Sequence, residues 1–132
     1  MELWNIEEIP DDDNLFYRVH KTQMDPQEDS DFISIKVFRT REGSMSTDWD
    51  KYSNPTMSRN RARVPKENRI LQLYVESVRE IPMEVQHHPL PEYNNQAHTD
   101  VYGLENQDRA NINEIRLKLA DIAEWVNDWL IN

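Results

Sequence analysis

Cysteine is absent from the 132-residue chain, and glycine occurs only twice. Without thiols there is no disulfide, no thiolate metal site and no cysteine nucleophile, so the fold must rest on a packed core. Scarce glycine excludes a Gly-rich phosphate cradle, and no Gly-x-Ser-x-Gly elbow marks a serine hydrolase. No stretch approaches the roughly 20 apolar residues that span a bilayer, and no apolar run stands near the N-terminus. A cytoplasmic protein without membrane contact is therefore expected. The zinc-protease spacing His-Glu-x-x-His is also missing, so neither a metal site nor a cofactor is expected.

What remains is polar and acidic: 30% of residues are charged and the net charge is −10. That balance disfavours a nucleic-acid coat, because phosphate binding needs concentrated positive charge. The charge is unevenly spread. Between Lys36 and Arg69 stand nine basic and four acidic residues, giving +5 and leaving −15 for the rest. Within that stretch Arg59, Arg61 and Arg63 alternate, forming either a solvated basic loop or a contact surface for an anionic partner. Interleaved aromatics are lacking, which keeps nucleic acid an outside prospect.

One domain is expected over 1–132, with an acidic N-terminal arm over 1–14. Leu15 to His20 is rich in aromatic and β-branched residues and reads as a strand. Phe32 to Arg39 alternates, with Ile33, Ile35 and Val37 on one face, and reads as a second, half-buried strand. The segment 41–66 carries Pro55, Pro65 and many Ser, Asn and Thr residues, predicting a long, mostly irregular basic loop of the kind that carries function. Arg69 to Val78 reads as a strand, with a helix as the competing assignment. Shorter strands are expected at Met83 to His87 and Ala97 to Tyr102. Near the C-terminus Ile112, Ile115, Leu119, Ile122, Val126 and Trp129 recur at helical spacing, predicting an amphipathic helix over 111–131 with Asn111 as its N-cap. Leu117, Trp125 and Leu130 widen its apolar surface, enough for a sheet to cover or for a second copy or protein partner to share. The expected fold is α+β: a small, largely antiparallel sheet of four or five strands with this C-terminal helix.

Three groups of side chains could carry chemistry. His87 and His88 are adjacent, so on a strand they point to opposite faces and cannot chelate one ion together; one of them is expected to meet His98 or a carboxylate. Around His98 cluster Asn95 and Asp100, with Asp100 two residues away, where it could orient the ring as a carboxylate orients a general base. An Asx-type turn explains the same residues without chemistry. Ser44, Ser46 and Asp48 form the third group, two hydroxyls and a carboxylate.

Leu15-Phe16-Tyr17-Arg18-Val19-His20, Ser34 with Phe38, Gly43-Ser44-Met45-Ser46-Thr47-Asp48 and Asn95-Gln96-Ala97-His98 occur in that order. In this they resemble an uncharacterised family of small bacterial proteins with Leu-Tyr-Arg, Leu-Ser-Val-Asp and Asn-Pro-Ala-His motifs. The resemblance covers roughly residues 14 to 103, departs from the usual pattern at Val37, Met45, Thr47 and Gln96, and leaves the C-terminal helix outside. It carries no known activity and implies only that Arg18, Ser46 and His98 fall at motif positions.

Two functions follow as expectations. The first is a binding or accessory module contacting a protein or anionic partner, with Asn95, Arg59, Arg61 and Arg63 as contacts. The second is a small enzyme acting on a nucleotide or RNA, in which Arg18 holds a phosphate, His98 transfers a proton and Ser46 or Asp48 orients the substrate.

Overall fold

A computed structural model describes residues 4–105 and 107–126. Among these residues six strands form one antiparallel sheet: β1 (Asn14–His20), β2 (Met45–Trp49), β3 (Asn68–Tyr74), β4 (Glu84–His87), β5 (His98–Tyr102) and β6 (Glu124–Val126), in the order β4-β5-β2-β1-β3-β6. Three helices accompany them: α1 (Pro55–Asn60), α2 (Val75–Glu80) and α3 (Arg109–Ile122). The architecture is α+β. No helix among the described residues is long and apolar enough to cross a membrane.

The period of two along each strand divides the sheet into two faces. On one, Leu15, Tyr17 and Val19 of β1, Met45 and Trp49 of β2, Leu71 and Leu73 of β3 and Val101 of β5 pack with Val37, Phe38, Val75, Val78 and Leu119 into the main core. The opposite face carries Phe16 and Arg18, Ser46 and Asp48, His98 and Asp100 in register across β1, β2 and β5, with Phe16 opposite Asp48, Asp48 opposite His98, and Ser46 opposite Asp100. This second face is largely polar, and α1 covers part of it through Ser58.

The structure corrects four readings of the sequence. Phe32 to Arg39 is not a strand but a loop around a single 3-10 turn at Ile35–Val37. The Ser34 side chain accepts from the Lys36 N–H at 3.2 Å and so takes a donor that a ladder would need. Val37 and Phe38 are then both buried, which strand alternation forbids when one face is solvated. The segment 41–66 is not mostly irregular, since it contains β2, the α1 helix capped by Asn54, and a 3-10 turn at Pro65–Glu67. β2 is central because Met45, Thr47 and Trp49 are buried on the core face while Ser46 and Asp48 occupy the other; read as a polar cluster, they concealed the alternation.

Arg69 to Val78 is both of its competing assignments in succession, a strand to Tyr74 and then the α2 helix. Backbone carbonyls of Asp13 and Asp11 accept from the first α2 amides, Val75 and Glu76, at 3.0 Å each, satisfying donors the helix itself leaves open. The C-terminal helix starts earlier and ends sooner than 111–131. Its N-cap is Asp108, whose carboxylate accepts from Asn111 N at 2.9 Å, so Asn111 is the recipient and not the cap. Ala123 turns to extended geometry, and Trp125 and Val126 join β3 as the edge strand β6. There the Trp125 indole donates to Asp31 O at 3.1 Å and its ring lies 4.0 Å from the Arg69 guanidinium carbon. Trp129 and Leu130 lie outside the described residues.

Candidate functional site

Asp48 lies at the centre of the polar sheet face and is almost fully buried. Ser58 Oγ donates to its Oδ2 at 2.6 Å and Asn95 Nδ2 to its Oδ1 at 2.9 Å, while the Arg18 Nη1 stands 3.6 Å away. The same Arg18 nitrogen donates to Ser58 O at 3.1 Å. Asn95 Oδ1 in turn accepts from Ala97 N at 3.1 Å. A buried carboxylate is tolerated when its lone pairs are met in this way, and here the donors come from β1, α1 and the turn before β5. The network therefore ties three parts of the fold to the middle strand.

A second cluster adjoins it at the β4 end. The Asp100 carboxylate accepts from Ser44 Oγ at 2.9 Å and meets His88 Nδ1 at 2.7 Å and His98 Nε2 at 3.7 Å. Asp100 is 9% exposed by side chain, His98 12% and His88 56%, so His88 is the member of the group that solvent reaches most. Ser44 is delivered by a tight turn, in which Arg41 and Ser44 exchange backbone bonds around Glu42 and Gly43, both at positive φ. Glycine meets that backbone geometry without Cβ strain. The Tyr102 phenol is raised above its ordinary value, chiefly by burial and further by the Asp100 charge.

His87 and His88 do face opposite sides. His87 is buried, packed edge-on to Trp49 at 5.0 Å between ring centroids. Its Nδ1 accepts from Glu7 N at 3.0 Å, which places the ring proton on Nε2 and directs it to Gln96 O at 2.7 Å. Both nitrogens are satisfied, and His87 belongs to the scaffold. His88 meets Asp100 and stands 5.6 Å from the His98 ring centroid.

Arg18, Asp48 and Asn95 thus converge through direct contacts, and Ser46 and His98 join the same face by strand register. Ser46 is exposed. Arg59 Nε donates to Asn68 O at 2.9 Å, Arg61 Nη2 donates to Asn94 O at 3.1 Å, and Arg63 is exposed. The first two cations hold α1 and a neighbouring turn in place. Sequence reasoning missed Ser58, which partners Asp48 from ten residues away, because nothing in local spacing announces a contact that depends on how α1 packs.

Sequence reasoning also missed a groove of about 600 Å³ between the Ile35–Val37 turn and α3. Lys36, Arg109 and Arg116 line it together with Ile35, Ile112 and Asn113, and no carboxylate lines it among the described residues. Arg116 Nε donates to Phe38 O at 2.9 Å, which holds that guanidinium at the groove wall. The three cations are up to 80 positions apart in the chain, so no charge run signals them. No family model matches the chain, and neither does any curated protein or solved structure.

Proposed function

We propose that the protein is a binding module that receives an acidic segment of a partner protein in the groove between the Ile35–Val37 turn and α3. One observation carries this reading: Lys36, Arg109 and Arg116 line one groove together with Ile35 and Ile112 in a chain whose net charge is −10. Carboxylates of a short segment meet the cations, and its aliphatic side chains meet the isoleucines. An extended polyanion such as nucleic acid would also face the acidic remainder of the surface. A short peptide stays within roughly one Debye length, about 10 Å at 0.1 M salt, of the favourable charges.

The test is fluorescence polarisation with a labelled Glu/Leu-rich peptide over a salt series. Reversal of two groove charges, Lys36→Glu with Arg109→Glu, should weaken binding by about tenfold or more and flatten its salt dependence. Arg63→Glu, outside the groove, should leave both unchanged. Weakening by Arg63→Glu alone would move the contact to the 59–63 stretch, and no binding by the unaltered protein would remove the reading.

A second reading, an enzyme acting on a nucleotide or RNA, draws on Arg18, Ser46, Asp48 and His98 sharing one sheet face. Its weakness is that Arg18 and Asp48 are engaged with each other and with Ser58, which limits the freedom of Arg18 to hold a phosphate. Nucleotide turnover that Ser46→Ala abolishes is the result that would favour it.

A further inference from the structure

His98 Nδ1 lies 2.8 Å from the backbone carbonyl of His88. A carbonyl only accepts, so Nδ1 carries the proton, and in the neutral ring Nε2 holds a lone pair. That nitrogen points at Asp100 Oδ1, 3.7 Å away. A lone pair and a carboxylate oxygen at that separation are two ligand atoms that one cation can share. On the other side of the same carboxylate stands His88 Nδ1, 2.7 Å from Oδ2. One donor atom from each of His88, His98 and Asp100 lies within 4.8 Å of the other two.

We propose that His88, His98 and Asp100 bind one borderline divalent cation of the zinc class, through His88 Nδ1, His98 Nε2 and an Asp100 carboxylate oxygen. In a tetrahedral site with bonds of about 2.0 to 2.1 Å, neighbouring ligand atoms stand about 3.3 Å apart. The 2.7 Å from His88 Nδ1 to Oδ2 and the 3.7 Å from His98 Nε2 to Oδ1, with the three ligand atoms within 4.8 Å of one another, put them within reach of such a site once the exposed His88 side chain and the carboxylate turn toward a common ion. Two imidazoles select zinc, cobalt, nickel or copper over magnesium and calcium, which prefer oxygen ligands.

The surroundings are those of a supported ligand set. The Nδ1–H of His98 is anchored on a backbone carbonyl, which fixes the tautomer and the ring plane, and Ser44 Oγ steadies Asp100 Oδ1 at 2.9 Å. Backbone pairing secures the spacing, because His88 N donates to His98 O at 2.9 Å. Three protein ligands leave a coordination position on the solvent side, where the half-exposed His88 marks the opening. That position takes water or an anionic group of a partner. His87 cannot contribute, since both of its ring nitrogens are used in the core.

This inference is independent of the peptide groove. It rests on β5 and the residue after β4, while the groove rests on α3. The experiment is calorimetric titration of chelator-treated protein with Zn²⁺ alone, with Co²⁺ absorption as a coordination readout. One equivalent should bind, with Co²⁺ bands of a low-coordinate nitrogen and oxygen site. His88→Gln, on an exposed side chain that leaves the fold intact, and His98→Gln should each weaken binding by roughly 10- to 100-fold. His20→Gln, which removes a histidine elsewhere, should not. Absence of saturable uptake, uptake unaffected by His88→Gln and His98→Gln, or equal competition by Mg²⁺ would each overturn the proposal.

Discussion

Tyr17 shows how a single side chain turns an irregular segment into part of the core. Its hydroxyl donates to Val37 O at 2.6 Å and accepts from Arg39 N at 3.1 Å, closing the backbone of a loop that has no strand partner. Burial pushes the phenol above its ordinary value, which favours the neutral hydroxyl that makes both bonds. Tyr17→Phe keeps the ring against Phe38 but leaves two backbone groups with one partner fewer. A loss of about 1–3 kcal/mol in chemical denaturation is expected, because buried groups left unpaired carry a desolvation penalty. Asp48 and His98 stood out in the sequence because polar residues clustered around them, and both lie on the same sheet face. Of the adjacent histidines, one was expected to meet His98 or a carboxylate, and it is His88; Ser58, the partner of Asp48, gave no such signal. A hydrogen bond between β2 and a helix ten residues on depends on packing, which no local pattern encodes.

At the level of elements, hydrophobic period identified α3 but not its limits. Leu119 is completely buried in the core, whereas Leu117, two positions earlier, is 60% exposed. Leu119→Ala should therefore cost about 2–5 kcal/mol through lost contacts and a residual cavity, while Leu117→Ala should stay within about 0.5 kcal/mol. Equal effects in thermal unfolding would show that the helix packs by a different face. Helical spacing continues through Val126, yet the chain leaves the helix at Ala123 because β3 offers Trp125 and Val126 an unpaired edge. Ladder hydrogen bonds and the Arg69 contact outweigh another turn of helix there. The competition went the other way at Ile35, where alternation promised a strand and the Ser34 side chain, taking the Lys36 amide, closed a 3-10 turn instead.

Across the whole molecule, the acidic N-terminal arm is a working part of the fold. Ile9 is buried in the core, Asp11 and Asp13 cap α2, and Trp49 Nε1 donates to Asp13 Oδ2 at 2.8 Å. Near its start Glu7 bonds Lys51 Nζ at 2.6 Å and accepts from the Tyr52 hydroxyl. The Lys51 bond, with the Tyr52 bond next, holds the Glu7 carboxyl below its ordinary value. A carboxyl lowered in the folded state stabilises above its unfolded pKa, and that share is lost as pH falls through the folded value. Docking of the arm should therefore weaken below about pH 4.5, the ordinary glutamate range. Protection of the Glu7 amide against exchange, taken relative to its intrinsic rate at each pH, should fall with acidification, and Glu7→Gln should reduce that pH dependence. Protection independent of pH in the unaltered protein would show that the ion pair does not hold the arm. Composition by itself determined that the chain must fold around an apolar core without thiols, and strand alternation and helical period determined that it would be α+β, since both follow from backbone geometry. Only the tertiary structure decided the strand order, the switch from α3 to β6, and the meeting of His88 with His98 and Asp100 or of Lys36 with Arg109 and Arg116. Each of these is a contact between distant positions, fixed by which edges and faces remain unsatisfied once the local elements have formed.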